Sequence, residues 1–261
     1  MYRQNIAIFA VVAAACVLGA NAVNVAQHSA KAEVAPIDVA GFQVVPATRS
    51  QVPNVGLDFC PTCISFVQQS IQDLIQIIAN GGILGGCQAL CTMLPNKIAA
   101  EVCNVICDIA GIEGFIKVLG MVDLDPFYAC ELFTVCHTTD DGSAKFSNIN
   151  VQPNPGHTGQ TLDVSADLTV FNATGCGEMV FAIQDPEGNV LGNAQTFGSL
   201  QPNKYSINLQ IDTTPSQQQG GEEWPAGKYE MEFAVCQGEC GSHHPHSETY
   251  DVKTTTFSLE E

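Results

Sequence analysis

Eight cysteines between residues 60 and 136 limit this chain's fold more tightly than any other feature. They stand at 60, 63, 87, 91, 103, 107, 130 and 136. The segments between them carry apolar residues three and four apart. Phe66, Val67, Ile71, Leu74, Ile75 and Ile78 form one such stripe, polar residues fill the opposite face, and Asn80-Gly81-Gly82 follows. That spacing predicts an amphipathic helix with a glycine terminus. Cys87 and Cys91 are four apart, as are Cys103 and Cys107, with Leu94-Pro95-Asn96 between the pairs. Residues four apart share a helix face. Two helices folded back about that turn bring Cys91 to Cys103 and Cys87 to Cys107; the crossed pairing needs parallel helices, which so short a connection cannot supply. The same antiparallel rule, applied to the first helix and to the one that Asp125-Pro126 starts, joins Cys60 to Cys136 and Cys63 to Cys130. In the chain-entropy model each long loop closed this way gains about 4–5 kcal/mol, and a helical unit this small needs such help. Cys60-x2-Cys63 also has the spacing of redox and zinc motifs, but every cysteine of the run already has a partner, so neither chemistry is expected.

Disulfides at this density belong to an oxidising compartment. The N-terminus reads the same way. Arg3, the apolar run Ile6 to Gly19, and then Ala20-Asn21-Ala22 have the layout of a secretory signal peptide over residues 1–22, cleaved after Ala22. Cys16 would leave with it, so an odd number of the 12 cysteines would remain. No later segment is a run of 18 apolar residues, the length a membrane span needs, and the expectation is a secreted, extracellular protein. Residues 23–57 show neither helical nor strand periodicity, are interrupted by Pro36, Pro46 and Pro53, and read as a linker or propeptide; Arg49 reads as an ordinary loop residue, with protease cleavage beside it as the lesser alternative. With 9 Lys+Arg against 27 Asp+Glu, the net charge of −18 repels phosphate backbones, and no nucleic-acid partner is expected.

Beyond a polar hinge at Thr138 to Ser143 the period changes to two. Leu162, Val164, Ala166, Leu168 and Val170 alternate with polar residues, as do Met179, Phe181 and Ile183; Tyr205, Ile207, Leu209 and Ile211; and Tyr229, Met231, Phe233 and Val235. Ile149 and Val151, Val190 to Phe197, and Tyr250 to Leu259 bring the number of predicted strands to seven. The fold class expected is α plus β: a disulfide-closed helical domain at 58–139 followed by an immunoglobulin-like antiparallel β-sandwich at 145–261. Three cysteines remain in the second part. Cys176 can reach either Cys236 or Cys240, and the one left over is either bonded to a partner chain, the reading slightly preferred, or a free reactive thiol. His243, His244 and His246 beside Cys236 and Cys240 offer metal-ligand chemistry, but a wet loop with a disulfide at its base accounts for them, and no metal or cofactor is expected. Asn172-Ala173-Thr174 is a glycosylation sequon at a strand end. No nucleophile with a base, phosphate loop or paired-carboxylate setting can be identified, so no catalytic residue is assigned.

Cys60-x2-Cys63, Cys91-Thr-Met-Leu-Pro-x7-Cys103 and Cys130-x5-Cys136 resemble a saposin B-type domain over residues 58–137, with Cys87 and Cys107 as an added pair. The resemblance implies a lipid-handling module in which Phe66, Leu74, Ile78, Phe115 and Leu119 contact lipid; the plainer reading is that these residues fill a core with Ile106, Ile109 and Val118. Eight acids against Lys97 and Lys117 in this span oppose attack on anionic bilayers at neutral pH. The order of signal peptide, saposin-like domain and β-rich domain, with Asp125-Pro126-Phe127-Tyr128-Ala129-Cys130-Glu131 before the last cysteine, resembles the countin family of social amoebae. That resemblance implies a secreted, non-enzymatic subunit of a multiprotein counting factor that limits group size through adhesion and motility. Its implied partners are other secreted subunits and a cell-surface receptor. The competing reading is a lipid-binding or membrane-active effector.

Overall fold

The computed structural model describes residues 35–36, 39–46, 59–81, 85–121, 125–215 and 223–261. The signal peptide, its cleavage point and Arg49 lie outside the described residues. The helical part comprises α1 (Cys60–Gly81), α2 (Cys87–Cys91), α3 (Lys97–Ala110), α4 (Ile112–Leu119) and α5 (Pro126–Leu132). Two of the starts carry a capping side chain. Asn96 caps α3, its side chain accepting from the backbone N–H groups of Ile98 at 2.9 Å and Ala99 at 3.3 Å. Asp125 caps α5, and Pro126 occupies the first turn, where its missing N–H is no loss. Gly111, at φ 73°, separates α3 from α4; a left-handed residue is the natural break between two helices, and glycine adopts it without steric cost. α1 packs against α5 and α2 against α3, around a core in which Ile64, Leu74, Ile106, Phe115 and Phe133 are fully buried. The rings of Phe115 and Phe133 stack at 5.0 Å. Ile109, expected in this core, is instead 51% exposed.

The strands are β1 (Ala35–Pro36), β2 (Val39–Pro46), β3 (Ser143–Gln152), β4 (Gly156–His157), β5 (Thr161–Asn172), β6 (Gly177–Gln184), β7 (Val190–Phe197), β8 (Asn203–Asp212), β9 (Gly227–Gln237) and β10 (Glu248–Glu260). They form two sheets, ordered β1-β7-β6-β9-β10-β4 and β2-β8-β5-β3. All pairings are antiparallel except the two-residue contacts of β1 with β7 and of β4 with β10. One apolar cluster joins the two sheets: Phe146, Leu162 and Leu168 from one share it with Met179, Phe181 and Phe233 from the other. The burial along β5 alternates nearly without interruption, as the sequence pattern requires.

β2 departs from expectation. It lies in the stretch read as a linker, yet pairs with β8 from Val39 opposite Ile211 to Pro46 opposite Tyr205. The register shifts between Ala40 and Gln43, and an irregularity of that kind breaks the two-residue period by which a strand is recognised. Pro46 stands at the strand end, a place where proline is tolerated.

Candidate functional site at the seam between helices and sheets

The residues of greatest chemical interest gather where α5 meets the loop that follows β9. Asp125 serves both sides. Its Oδ1 accepts from the backbone of Phe127 at 2.8 Å and Tyr128 at 3.2 Å, which starts α5, while its Oδ2 accepts the Ser242 hydroxyl at 2.7 Å from the loop. Tyr128 stacks on His244, ring centroids 4.6 Å apart and nearly parallel. His246 Nδ1 lies 2.6 Å from Asp140 Oδ1, and that bond raises the imidazole pKa above its ordinary value.

Gln237, at the end of β9 and 1% exposed, ties the seam together. Its amide nitrogen donates to the carbonyls of Thr139 and His246, both at 2.7 Å. Its amide oxygen accepts from the Gly175 N–H and the Tyr250 hydroxyl, both at 2.8 Å. All four hydrogen-bonding positions of a buried amide are thus used. The segment predicted as a polar hinge is anchored: Gln237 holds Thr139, His246 holds Asp140, and the Asn172 side chain donates to the Asp141 carbonyl at 2.9 Å.

Two carboxyls here are pushed into the neutral range. Glu178 on β6 is 8% exposed and accepts the Cys240 N–H at 2.8 Å. Burial raises its pKa to about 8; the Cys240 hydrogen bond opposes this, and Glu239 and Asp125 add to it. Glu131 on α5 is raised to about 7, again mainly by burial, with His246 opposing and Asp125 assisting. Among the described residues its Oε2 has no hydrogen-bond partner.

The helical cysteines are joined as Cys60–Cys136, Cys63–Cys130, Cys87–Cys107 and Cys91–Cys103, with Cα separations from 4.7 to 6.0 Å. The remaining three differ from expectation. Cys236 bonds Cys240, four residues on, and Cys176 pairs with neither. The backbone explains why. Glu178 sits opposite Cys236 in the β6–β9 ladder and the Cys176 carbonyl accepts from Gly238 at 3.0 Å, so Cys176 is beside that loop; its side chain, however, is buried in the helical core, against Cys60. The Cys236–Cys240 bridge removes both sulfurs from any metal set with His243, His244 and His246, and His244 and His246 face different partners, Tyr128 and Asp140.

Of the candidate lipid contacts, Phe66, Leu74, Phe115 and Leu119 lie in the closed helical core and Ile78 is half-buried against it. The apolar surface is elsewhere. Ile98, Val105 and Ile109, at 73%, 46% and 51% exposure, recur at helical spacing along one face of α3. Asn172 is exposed at the end of β5, whereas Thr174 of the sequon is buried and accepts the Leu200 N–H at 3.0 Å. Sequence reasoning missed Gln237, Glu131 and Glu178. Only Glu178 left a signal, as the one acid in the otherwise apolar run Met179 to Ile183 and its flank.

The family described as the Countin N-terminal domain matches residues 58–134, and the Countin C-terminal domain matches residues 144–261. Countin-1 of Dictyostelium discoideum is 39% identical over 204 residues, covering 78% of this chain and 78% of its own length. Countin-2 of the same organism is 38% identical over 209 residues, covering 79% and 80%. Countin-3 is 35% identical over 200 residues, covering 77% and 89%. With both parts matched in order and relatives at this identity over most of their length, the chain belongs to the countin family.

Proposed function

We propose that the chain is a secreted, non-enzymatic subunit of an extracellular counting-factor-like complex that regulates group size through adhesion and motility. The observation that carries this reading is the similarity to Countin-1, Countin-2 and Countin-3 across both parts of the molecule. In this reading the helical part is a saposin B-type domain used as a rigid scaffold, and the strand part is an immunoglobulin-like sandwich. The partners are other secreted subunits and a cell-surface receptor. Several features support a scaffold. Four disulfides fix the helices, and the seam holds them against the sheets through Asp125, Tyr128 and Gln237. No helix among the described residues is long and apolar enough to cross a membrane. Asn172 is the glycan attachment point in this reading, and a glycosidase-dependent mass shift, absent in Asn172→Gln, tests it. Size-exclusion of the native protein from conditioned medium tests the main proposal. The expected result is elution far above the 27.7 kDa of the chain, together with co-purifying subunits; a monomer would overturn it.

A second reading, lipid binding, is favoured by one feature: the exposed apolar stripe Ile98, Val105 and Ile109 on α3. Co-sedimentation with liposomes from pH 4.5 to 7.5 tests it. Binding that Ile98→Ser and Ile109→Ser abolish supports this reading, and no binding at any pH removes it.

A further inference from the structure

Cys60, Cys136 and Cys176 place their sulfurs within 4.8 Å of one another, all three buried. Cys60 is bonded to Cys136, and the Cys176 sulfur lies beside that bond. A disulfide sulfur forms one S–S bond, so whichever of Cys136 and Cys176 is not bonded to Cys60 carries a thiol next to a disulfide. The Cα separations are 4.7 Å for Cys60 and Cys136 and 6.8 Å for Cys60 and Cys176. Both fall within the span that disulfides bridge without backbone movement.

The backbone holds Cys176 at this position from both sides. Its N–H donates to the His137 carbonyl at 3.3 Å, beside Cys136, and its carbonyl accepts from Gly238 at 3.0 Å. The glycines flanking it permit this close approach: a Cβ at Gly177 would lie against the Cys236 carbonyl oxygen, and one at Gly175 against Gln237. Cys176 therefore belongs to the β-rich part by chain connectivity and to the helical core by burial.

The geometry points to a covalent exchange site. The Cys176 thiolate attacks Cys60 Sγ, a Cys60–Cys176 bond forms, the Cys60–Cys136 bond breaks, and Cys136 leaves as the thiolate and takes up the proton. One disulfide and one thiol are present before and after, so no oxidant or reductant is consumed. The two isomers differ in what they join. Cys60–Cys136 closes the helical part on itself, while Cys60–Cys176 links α1 to the turn between β5 and β6 and makes the seam covalent. Burial keeps the thiol from external reagents, which separates this site from a free surface cysteine awaiting a partner chain.

The test uses the full chain. The protein is equilibrated at pH 8, quenched in acid, alkylated in denaturant with N-ethylmaleimide at pH 6, and digested with trypsin. Cleavage after Lys145 and Lys204 yields a segment whose one cysteine is Cys176. The expected result is that this segment divides between a maleimide-labelled form and a form bonded to the helical peptides, with Cys136 labelled in the same proportion as the latter. Cys136→Ser should drive it wholly to the bonded form, and Cys176→Ser should leave no thiol to label. Finding the segment entirely labelled, or entirely bonded, both before and after equilibration of the unmutated chain would overturn the proposal, and that readout does not depend on either variant folding.

Discussion

The two halves of this protein reach a packed interior by different means. Of the 22 buried residues that form the helical core, eight are cysteines; of the 24 that form the sheet core, none is. The helices are short apart from α1 and α3, and α2 has five residues, too few to persist alone. Covalent closure supplies what length and apolar area do not. In the sheets the long antiparallel ladders of β9 with β10 and of β5 with β8 satisfy the backbone, and large side chains such as Tyr229, Phe181 and Phe233 fill the space between layers. One disulfide lies in that half, and it spans four residues of a loop. A chain can thus combine a unit that depends on its redox environment with one that does not.

Reduction should break this comparison open and has the largest expected effect. With the four helical bridges reduced, the helical part loses several times the roughly 3 kcal/mol that a loop of about 15 residues gains from closure and unfolds, while the sheets persist. Circular dichroism during dithiothreitol titration should show loss of the helical signal with the near-ultraviolet signal of Trp224 and its neighbour Tyr229 retained. Simultaneous loss of both would mean that the sheets depend on the helices.

Gln237→Leu comes next and acts on the seam. It leaves the Thr139 and His246 carbonyls, the Gly175 N–H and the Tyr250 hydroxyl without their partner, and buried groups left unpaired cost about 1–3 kcal/mol each where water cannot reach them. A loss of about 3 kcal/mol is expected in urea unfolding of the sheet part. Limited proteolysis should at the same time open the chain between residues 138 and 143. Unchanged protection there would show that His246 and Asn172 alone anchor the segment.

How much of this could be read from the chain follows from which interactions are local. The bonds of Cys91 to Cys103 and Cys87 to Cys107 follow from helical phase about one turn, and the strands β5, β8 and β9 follow from alternation, because each depends on spacing within a few residues. β2 was hidden by its register shift. A sandwich topology puts Cys176 at the same end as Cys236 and Cys240, but strand order carries no information on which face of a turn points at the other domain. Gln237 is one glutamine among many by composition, and only the convergence of four distant segments makes it a hub. Ile109 matched the apolar period of α3 yet faces outward, since the period fixes a stripe's existence but not which stripe a neighbour covers.

Glu178→Gln offers the smallest and most selective probe, since it changes the charge at the seam while keeping an acceptor for the Cys240 N–H. The Glu178 pKa rises from 4.5 to about 8 on folding, chiefly through burial. Between those values the folded chain holds a proton that the unfolded chain has released, so stability falls as pH rises through the window and is regained on acidification. Glu131, raised to about 7, adds a slope of the same sign, while His246, raised by Asp140, also favours the protonated folded state. Glu178→Gln keeps an oxygen for the Cys240 N–H and removes the ionisation. Thermal melts should show the variant about 2 kcal/mol more stable than the unmutated chain at pH 8 and equal to it near pH 5, with part of the slope surviving through Glu131. An equal gain at both pH values would mean that shape, not charge, sets the strain at this carboxyl. No gain at pH 8 would mean that the seam opens to water when Glu178 ionises, and that the helices and sheets part there before either unit unfolds.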